Sequence, residues 1–502
     1  MYGVSRIRNL KGSWGNSSRL WLTVLVALLL LSSSTRVLVE ARRNYPIVKG
    51  SWHRRDDGDA GEKDRKLLPL VDDESISKTE ARFDRLTAEK VKASYERQMN
   101  DTLVNDTNEN SRGLFDGVRI GKRDGETPLD FVTSRYLTNE EMHVHLNNYV
   151  SRCGDISRLV KIGTSVQGKP LEALEISDTL KRGLADGKPH VKIVGGIHGD
   201  ETAGRPVSLG LAEWICENYK TDPTAAAIVS RMHLWILPAY NPDGFDLKTR
   251  WNAHGKDLNR DFPDQFDDSG INGNTDGREP ETKAMMQWTK ENPFVASLVF
   301  HGGDLVVNYP FDGTADGRTH YSMSPDDETF KYLSRAYAKN HRVMSTFRQR
   351  MFPGGITNGA AWYPIYGGSQ DWNYLAENTF ELTVELGKEK WPNAKTLPSI
   401  FLDNLEAILA FIRTSVLDGL EGTVSTIDSS GDKVPVKDAT VKIEGIDSKV
   451  LTRAGGKFTR PLSPGAYTVI IEKKGFKTLK DKITIKDQSG GLTKTYTLQK
   501  LK

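Results

Sequence analysis

Only two of the 502 residues are cysteines, Cys153 and Cys216, so the chain can close no more than one disulfide. That excludes a fold stapled by many bridges. One bridge in an oxidising compartment and two free thiols are both compatible with the count. Charge of a single sign is missing too: 69 basic residues face 66 acidic ones, a net charge of +3. No global basic field exists to gather nucleic acid or an anionic membrane, and partners must be argued from local sites. Long apolar runs are scarce. One occurs, LWLTVLVALLLL from Leu20 to Leu31; no second follows, and the closing LQKLK lacks a lipid-anchor tail. No long internal repeat or low-complexity block is present.

What is there begins with a leader. Arg6, Arg8, Lys11 and Arg19 precede the apolar run, and serines and the small-residue pattern Val39-Glu40-Ala41 follow it. A membrane span wants about 20 apolar residues, so residues 1–41 read as a secretory signal, with an uncleaved signal-anchor as the alternative. The expected location is the secretory pathway, in an endomembrane lumen or outside the cell, and that anchor would be the only membrane attachment. Residues 42–129 are charge-rich and poor in β-branched and aromatic residues, which predicts a largely flexible segment. Its dibasic pairs, Arg42-Arg43, Arg54-Arg55 and Lys122-Arg123, fit a trimmed propeptide or simply solvated charge. Asn100 and Asn105 head two glycosylation sequons, usable only in the secretory pathway.

From 130 to 417, short apolar runs alternate with amphipathic ones. HVKIVGGI, MHLWILPAY, VASLVF and TFELTVEL are strand-like, whereas Val207, Leu211, Trp214 and Ile215 share a helical face, as does the stretch Ile400 to Ile412. This predicts an α/β fold, helices packed over a largely parallel or mixed sheet. Ligands of such sheets bind beyond the carboxyl ends of strands. His198, His301 and Glu385 all fall at that edge. Residues 418–502 change to short alternating strands with turn punctuation, a small β-sandwich. That segment holds no histidine or cysteine, which places the chemistry upstream.

The segment GGIHGDETAG, Gly195 to Gly204, offers His198 and Glu201 at H-x-x-E spacing. Alone this is weak, because a loop histidine beside an acid at a helix N-terminus gives the same pattern. His143 and His145 illustrate the hazard, since an i, i+2 pair on a helix shares no face. The ordered company is specific: NPDG at Asn241–Gly244; Arg250 with DLNRDFPDQF; FHGGDLVVNYPFD at Phe300–Asp312; NGAAWYPIYGGSQDWNY at Asn358–Tyr374; and ELTVELGKEKWP at Glu381–Pro392. Five separated motifs in this order resemble the zinc metallocarboxypeptidases of the regulatory branch that includes carboxypeptidases D, E, N and M. The resemblance covers about 130 to 500, since that branch carries a transthyretin-like β-sandwich after its catalytic domain.

The resemblance implies one zinc per catalytic domain, held by His198, Glu201 and His301. Two histidines and a carboxylate leave a fourth position for water, whose pKa zinc lowers toward neutrality. Asp257 matches the aspartate that orients the first histidine. The general base falls in ELTVEL. Glu381 and Glu385 share a face of one strand, so the residues alone leave both open; the family's spacing, 22 positions after Tyr363, selects Glu385. Arg250 matches the arginine that stabilises the oxyanion. Asn259 and Arg260 match the pair that binds a free α-carboxylate, and Tyr363 the ring that closes over it.

Asp312 and Gln370 match the residues that receive a basic C-terminal side chain, so the implied substrates are peptides or proproteins ending in Arg or Lys. An apolar residue there would leave the Asp312 charge unpaired. Cys153 and Cys216 match positions bridged in some relatives, which implies the disulfide. Two departures touch no assigned role: Gly387-Lys388-Glu389 stands where many relatives carry cysteines, and Ser369 where they often have methionine. Some relatives keep the pocket without catalysis, but here every ligand position and the base are filled. A monomeric hydrolase is expected.

Overall fold

A run of six consecutively buried residues, HVKIVG, sets the architecture, since only a strand covered on both faces tolerates such a sequence. The computed structural model describes residues 126–501, apart from 181–184, 268–269, 274, 347–350 and 488–489. The expected leader, most of the charged segment, and the sequon residues Asn100 and Asn105 lie outside the described residues.

Eight strands form one mixed sheet: β1 Ser157–Thr164, β2 Pro170–Ile176, β3 His190–Gly195, β4 His233–Leu237, β5 Phe294–His301, β6 Asp304–Tyr309, β7 Ile356–Asn358 and β8 Phe380–Gly387. Their spatial order is β1-β2-β4-β3-β5-β8-β6-β7. The centre, β4-β3-β5-β8, is parallel. β1, β2 and β6 attach antiparallel, so the sheet is mixed rather than uniformly parallel.

Alternate residues of the central strands feed two cores. Val191, Ile193, Leu298, Phe300, Leu382 and Val384 pack with the helices Gly204–Asn218, Asp327–Asn340 and Leu397–Val416. On the opposite face Val194, Val299 and Trp235 meet Met285, Met286 and Trp288 of the helix Pro280–Glu291, and Trp372 of the helix Ser369–Glu377. The predicted helical face is observed: Val207, Leu211 and Ile215 are buried and Trp214 is partly buried. At the amino end, the helix Asn139–Arg152 opens with a capping box in which Thr138 Oγ1 accepts the Glu141 N–H at 3.1 Å and Glu141 accepts the Thr138 N–H at 2.8 Å, a device that fixes where the helix starts. Its C-cap, Cys153, is disulfide-bonded to Cys216 with Cα atoms 6.0 Å apart.

The chain then forms a β-sandwich. In one sheet β9 Leu420–Ile427 pairs antiparallel with β10 Lys433–Pro435 and with β13 Lys457–Arg460, and parallel with β16 Leu492–Leu498. The other sheet is wholly antiparallel, β12 Ile446–Leu451, β11 Thr440–Ile443, β14 Gly465–Glu472 and β15 Leu479–Ile485 in that order. Val424, Val441, Phe458, Val469 and Ile483 lie in the core between them. The segment GKFTRPLSPGAYTVIIEKKGF, which alternates throughout, divides into β13 and β14.

One side chain of the sandwich reaches into the larger module. Arg460, at the end of β13 and fully buried, donates to Asp326 Oδ1 at 2.6 Å and lies 5.1 Å from the centre of the Phe380 ring. Asp326 is the N-cap residue of the helix Asp327–Asn340 and also accepts the Tyr374 hydroxyl at 2.8 Å.

Candidate active site

The candidate site is assembled at the carboxyl edge of β3, β5 and β8. After β3 the chain turns at Gly196, whose φ of +70° is a left-handed conformation that suits glycine. The following loop passes so close to Gly244 that a Cβ on Gly199 would lie 2.0 Å from its carbonyl carbon. The loop presents His198 and Glu201, both buried. His301 is the last residue of β5 and is directly opposite Glu385 on β8.

His198 Nδ1 and His301 Nδ1 each lie 2.9 Å from Glu201 Oε2 and 3.1 Å from one another. Among the described residues, these three form the one group with metal-ligand potential, their donor atoms all within 4.8 Å. The hydrogen bonding bears on whether they fit zinc. His198 Nε2 is 2.9 Å from Asp257 Oδ1. A carboxylate there holds the proton on Nε2 and leaves the Nδ1 lone pair facing an acceptor oxygen. His301 Nε2 is buried and has no partner among the described residues. Converging lone pairs from two imidazoles and one carboxylate suit a divalent cation, and an N,N,O donor set suits zinc.

Around this group stand the other expected residues. Arg250 Nε donates to Asp257 Oδ2 at 2.8 Å and Nη1 to Glu201 Oε1 at 3.1 Å. Burial alone would raise the Asp257 carboxyl, but His198 and Arg250 hold it well below the usual range. Lys390 Nζ also donates to Glu201 Oε1, at 3.0 Å. Thus one oxygen of Glu201 faces two cations and the other faces the imidazoles. Lys390 was not among the sequence candidates, because the strand pattern stops at Gly387 and no spacing leads to it.

Glu385 is buried and its Oε2 has no partner among the described residues. Burial, reinforced by Glu201 and Asp304, pushes its carboxyl up to about 8. Glu381 has a different place. It accepts the Ser369 hydroxyl at 2.7 Å and lies 4.0 Å from the buried Lys192 ammonium, deep in the sheet. Of the two acids, only Glu385 lines the cavity with His198, Glu201 and His301. That cavity is about 240 Å³. Larger hollows among the described residues, the two largest of about 470 and 600 Å³, enclose no comparable group of donors, so chemistry rather than size marks the site.

The remaining candidates line the same cavity or support its floor. Asn259 and Arg260 occupy a 3-10 turn, Leu258–Arg260, capped by Asp257, whose Oδ1 accepts the Asn259 N–H at 2.9 Å. Asn259 Oδ1 accepts the Ser369 N–H at 2.9 Å. Arg260 has no ion-pair partner among the described residues; its Nη1 donates to the Asn259 carbonyl at 2.7 Å. Tyr363, 47% exposed, stands at the mouth. Asp312 is buried, and its Oδ1 accepts Asn308 Nδ2 at 2.9 Å and Gln370 Nε2 at 3.1 Å. Burial pushes the Asp312 carboxyl up to about 6. Gln370 is anchored in turn because its Oε1 accepts the Thr383 N–H of β8 at 2.8 Å. His143 and His145 lie elsewhere, the first exposed beside Glu172, the second buried 2.9 Å from Glu213.

Comparison with known proteins agrees with this geometry. Residues 142–407 match the family described as zinc carboxypeptidase, and residues 419–499 a carboxypeptidase regulatory-like domain. Carboxypeptidase SOL1 of Arabidopsis thaliana is 45% identical over 354 residues, which cover 70% of this chain and 70% of that protein. Carboxypeptidase E of Caenorhabditis elegans is 37% identical over 418 residues, covering 74% of this chain and 87% of that one. Carboxypeptidase D of Homo sapiens is 37% identical over 375 residues, 71% of this chain but 26% of that much longer protein.

Proposed function

The chain belongs to the zinc carboxypeptidase family, and from that premise we propose that it releases C-terminal arginine or lysine from peptides and proproteins of the secretory pathway. The enzyme is a metallocarboxypeptidase, and its reaction is hydrolysis of the last peptide bond. The preference for a basic residue is carried by one observation: a buried carboxylate, Asp312, forms the floor of the cavity with Gln370 on the same oxygen. A guanidinium or ammonium would pair with that charge, whereas an apolar side chain would leave it stranded in a dry pocket.

The chain's own groups divide the work. Asn259 and Arg260, which has no ion-pair partner among the described residues, hold the α-carboxylate of the last residue, a planar fork against a planar anion, and Tyr363 closes over it from the mouth. This recognition makes the enzyme an exopeptidase. Arg250, fixed by Asp257, directs its guanidinium at the oxygen that gains charge as the carbonyl is attacked. Glu385 takes the proton from the attacking water and delivers it to the departing amine, and burial without a partner suits a carboxyl to exchange one. Zinc, when held by His198, Glu201 and His301, supplies Lewis acidity toward the carbonyl and toward water.

The leader 1–41 and the sequons at Asn100 and Asn105 support secretory placement, the segment 42–129 a trimmed extension, the stretch 130–417 the catalytic domain and 418–502 an appended sandwich. The deciding experiment is an assay of the purified protein on peptides that differ only in their last residue, with zinc stripped and restored. Release of C-terminal Arg and Lys well above Leu or Glu, abolished by a chelator and regained with zinc, is expected. Equal release of all four residues would refute the specificity, and full activity after zinc removal the mechanism.

A further inference from the structure

Asn308 and Gln370 supply the side-chain bonds on the Asp312 carboxylate; two residues with no role so far, Asp371 and Gly359, bear on its backbone and on the space it fills. We propose that Asp371 and Gly359 are positioning residues that set where the Asp312 carboxylate meets a basic C-terminal side chain. This rests on the reading of Asp312 given above.

Asp371 lies in the first turn of the helix Ser369–Glu377 and is buried. Both of its oxygens accept the Asp312 backbone N–H at 3.0 Å, and one also accepts the Gly313 N–H at 3.4 Å. No cation pairs with it among the described residues. Burial and the neighbouring Asp312 push its carboxyl well above the usual range; an acid taken so far from water is costly unless it is well bonded, and here its bonds go to the backbone of the residue proposed to read the substrate. Asp371 therefore fixes the peptide from which Asp312 projects.

Gly359 acts on the other end of that side chain. A Cβ at position 359 would stand 1.8 Å from Asp312 Oδ1 and 2.9 Å from Asn308 Oδ1. The glycine is required by space, since its φ is not left-handed. It makes the void into which the carboxylate fits. The same short helix, Gly359–Trp362, ends at Tyr363, whose N–H bonds the Gly359 carbonyl at 3.0 Å.

One helical turn also ties this acid to the carboxylate clamp. Ser369 N–H holds Asn259 Oδ1, Gln370 holds Asp312 Oδ1, and Asp371 holds the Asp312 backbone. Recognition of the terminal carboxylate and of the terminal side chain thus share one frame. Asp264 and Glu381 add negative charge around Asp312, while Arg260 works the other way. The floor of the cavity is short of a cation, which the substrate brings.

The test compares kcat/KM for two peptides ending in Arg or Leu, in the wild type and in the variants Asp312→Ala, Asp371→Asn and Gly359→Ala, each checked for folding by thermal unfolding. Displacing a recognition group by about 1 Å can cost about 10²-fold. Asp371→Asn and Gly359→Ala are therefore each expected to lower the Arg-to-Leu ratio by about 10²-fold, mainly through a higher KM for the Arg peptide. If Asp312→Ala lowers the ratio while the other two folded variants keep it, the inference is overturned and the reading of Asp312 stands. If Asp312→Ala itself leaves the ratio unchanged, that reading has failed and the inference falls with it. Should Asp371→Asn not fold, Gly359→Ala decides.

Discussion

At the scale of single residues, two buried titratable groups make the protein sensitive to acid, one in substrate binding and the other in stability. The proposed recognition of a basic side chain requires an ionised Asp312, and burial lifts its carboxyl to about 6. As pH falls through about 6 the pocket gains a proton and loses its charge, so KM for a peptide ending in Arg should rise steeply, while an Asp312→Asn variant should show no such inflection. Matching pH profiles in the two proteins would contradict the assignment. His341 governs stability instead. Its Nδ1 accepts the backbone N–H groups of Val343 at 3.2 Å and Met344 at 3.1 Å, which a protonated ring cannot do, and burial lowers it to about 4. The unfolded chain takes up this proton near pH 6.5, so stability is intact above that value and is lost on descent toward 4, by about 3 kcal/mol at 1.4 kcal/mol per unit. Urea midpoints followed from pH 7 to 4.5 should fall further for the wild type than for His341→Asn; parallel curves would contradict the account.

At the scale of elements, the disulfide ties the end of one helix to the last turn of another. Cys153 closes Asn139–Arg152 and Cys216 lies within Gly204–Asn218, 63 positions away. Replacing both with serine is expected to cost about 2–4 kcal/mol, and reduction should shift the wild-type denaturation midpoint to that of the variant. An unchanged midpoint under reductant would argue that the bridge is dispensable. The elements also show what a sequence discloses. β3, β5 and β8 are legible because strands buried on both faces are rich in apolar residues, even with Lys192 and Glu381 buried among them. β1 and β2 carry their charges three residues apart, Arg158 and Lys161 in one and Glu172 and Glu175 in the other, so they show no strand-like alternation, and no motif marks them. His198, Glu201 and His301 are legible from the order of motifs, and the separation of Glu381 from Glu385 follows from depth along β8. Lys390, Gly359 and Asp371 escape notice because each acts through an atom brought close only by the fold.

At the scale of the whole molecule, the sandwich and the larger α/β module share a buried ion pair. Arg460 and Asp326 lie 2.6 Å apart with both side chains fully buried. Removing one partner of such a pair leaves an uncompensated charge and typically costs about 3–5 kcal/mol. Arg460→Ala should therefore lower the unfolding midpoint strongly, and calorimetry of the wild type should show the two modules melting together. A variant as stable as the parent, or two well-separated wild-type transitions, would contradict that coupling. The same guanidinium lies over Phe380, the first residue of the strand that carries Glu385. A chain cut at Leu417 would leave Asp326 without its counter-charge and Phe380 without its cover. The protease portion is therefore not a portable cassette: grafted into another protein without its sandwich, it would carry a destabilised catalytic strand.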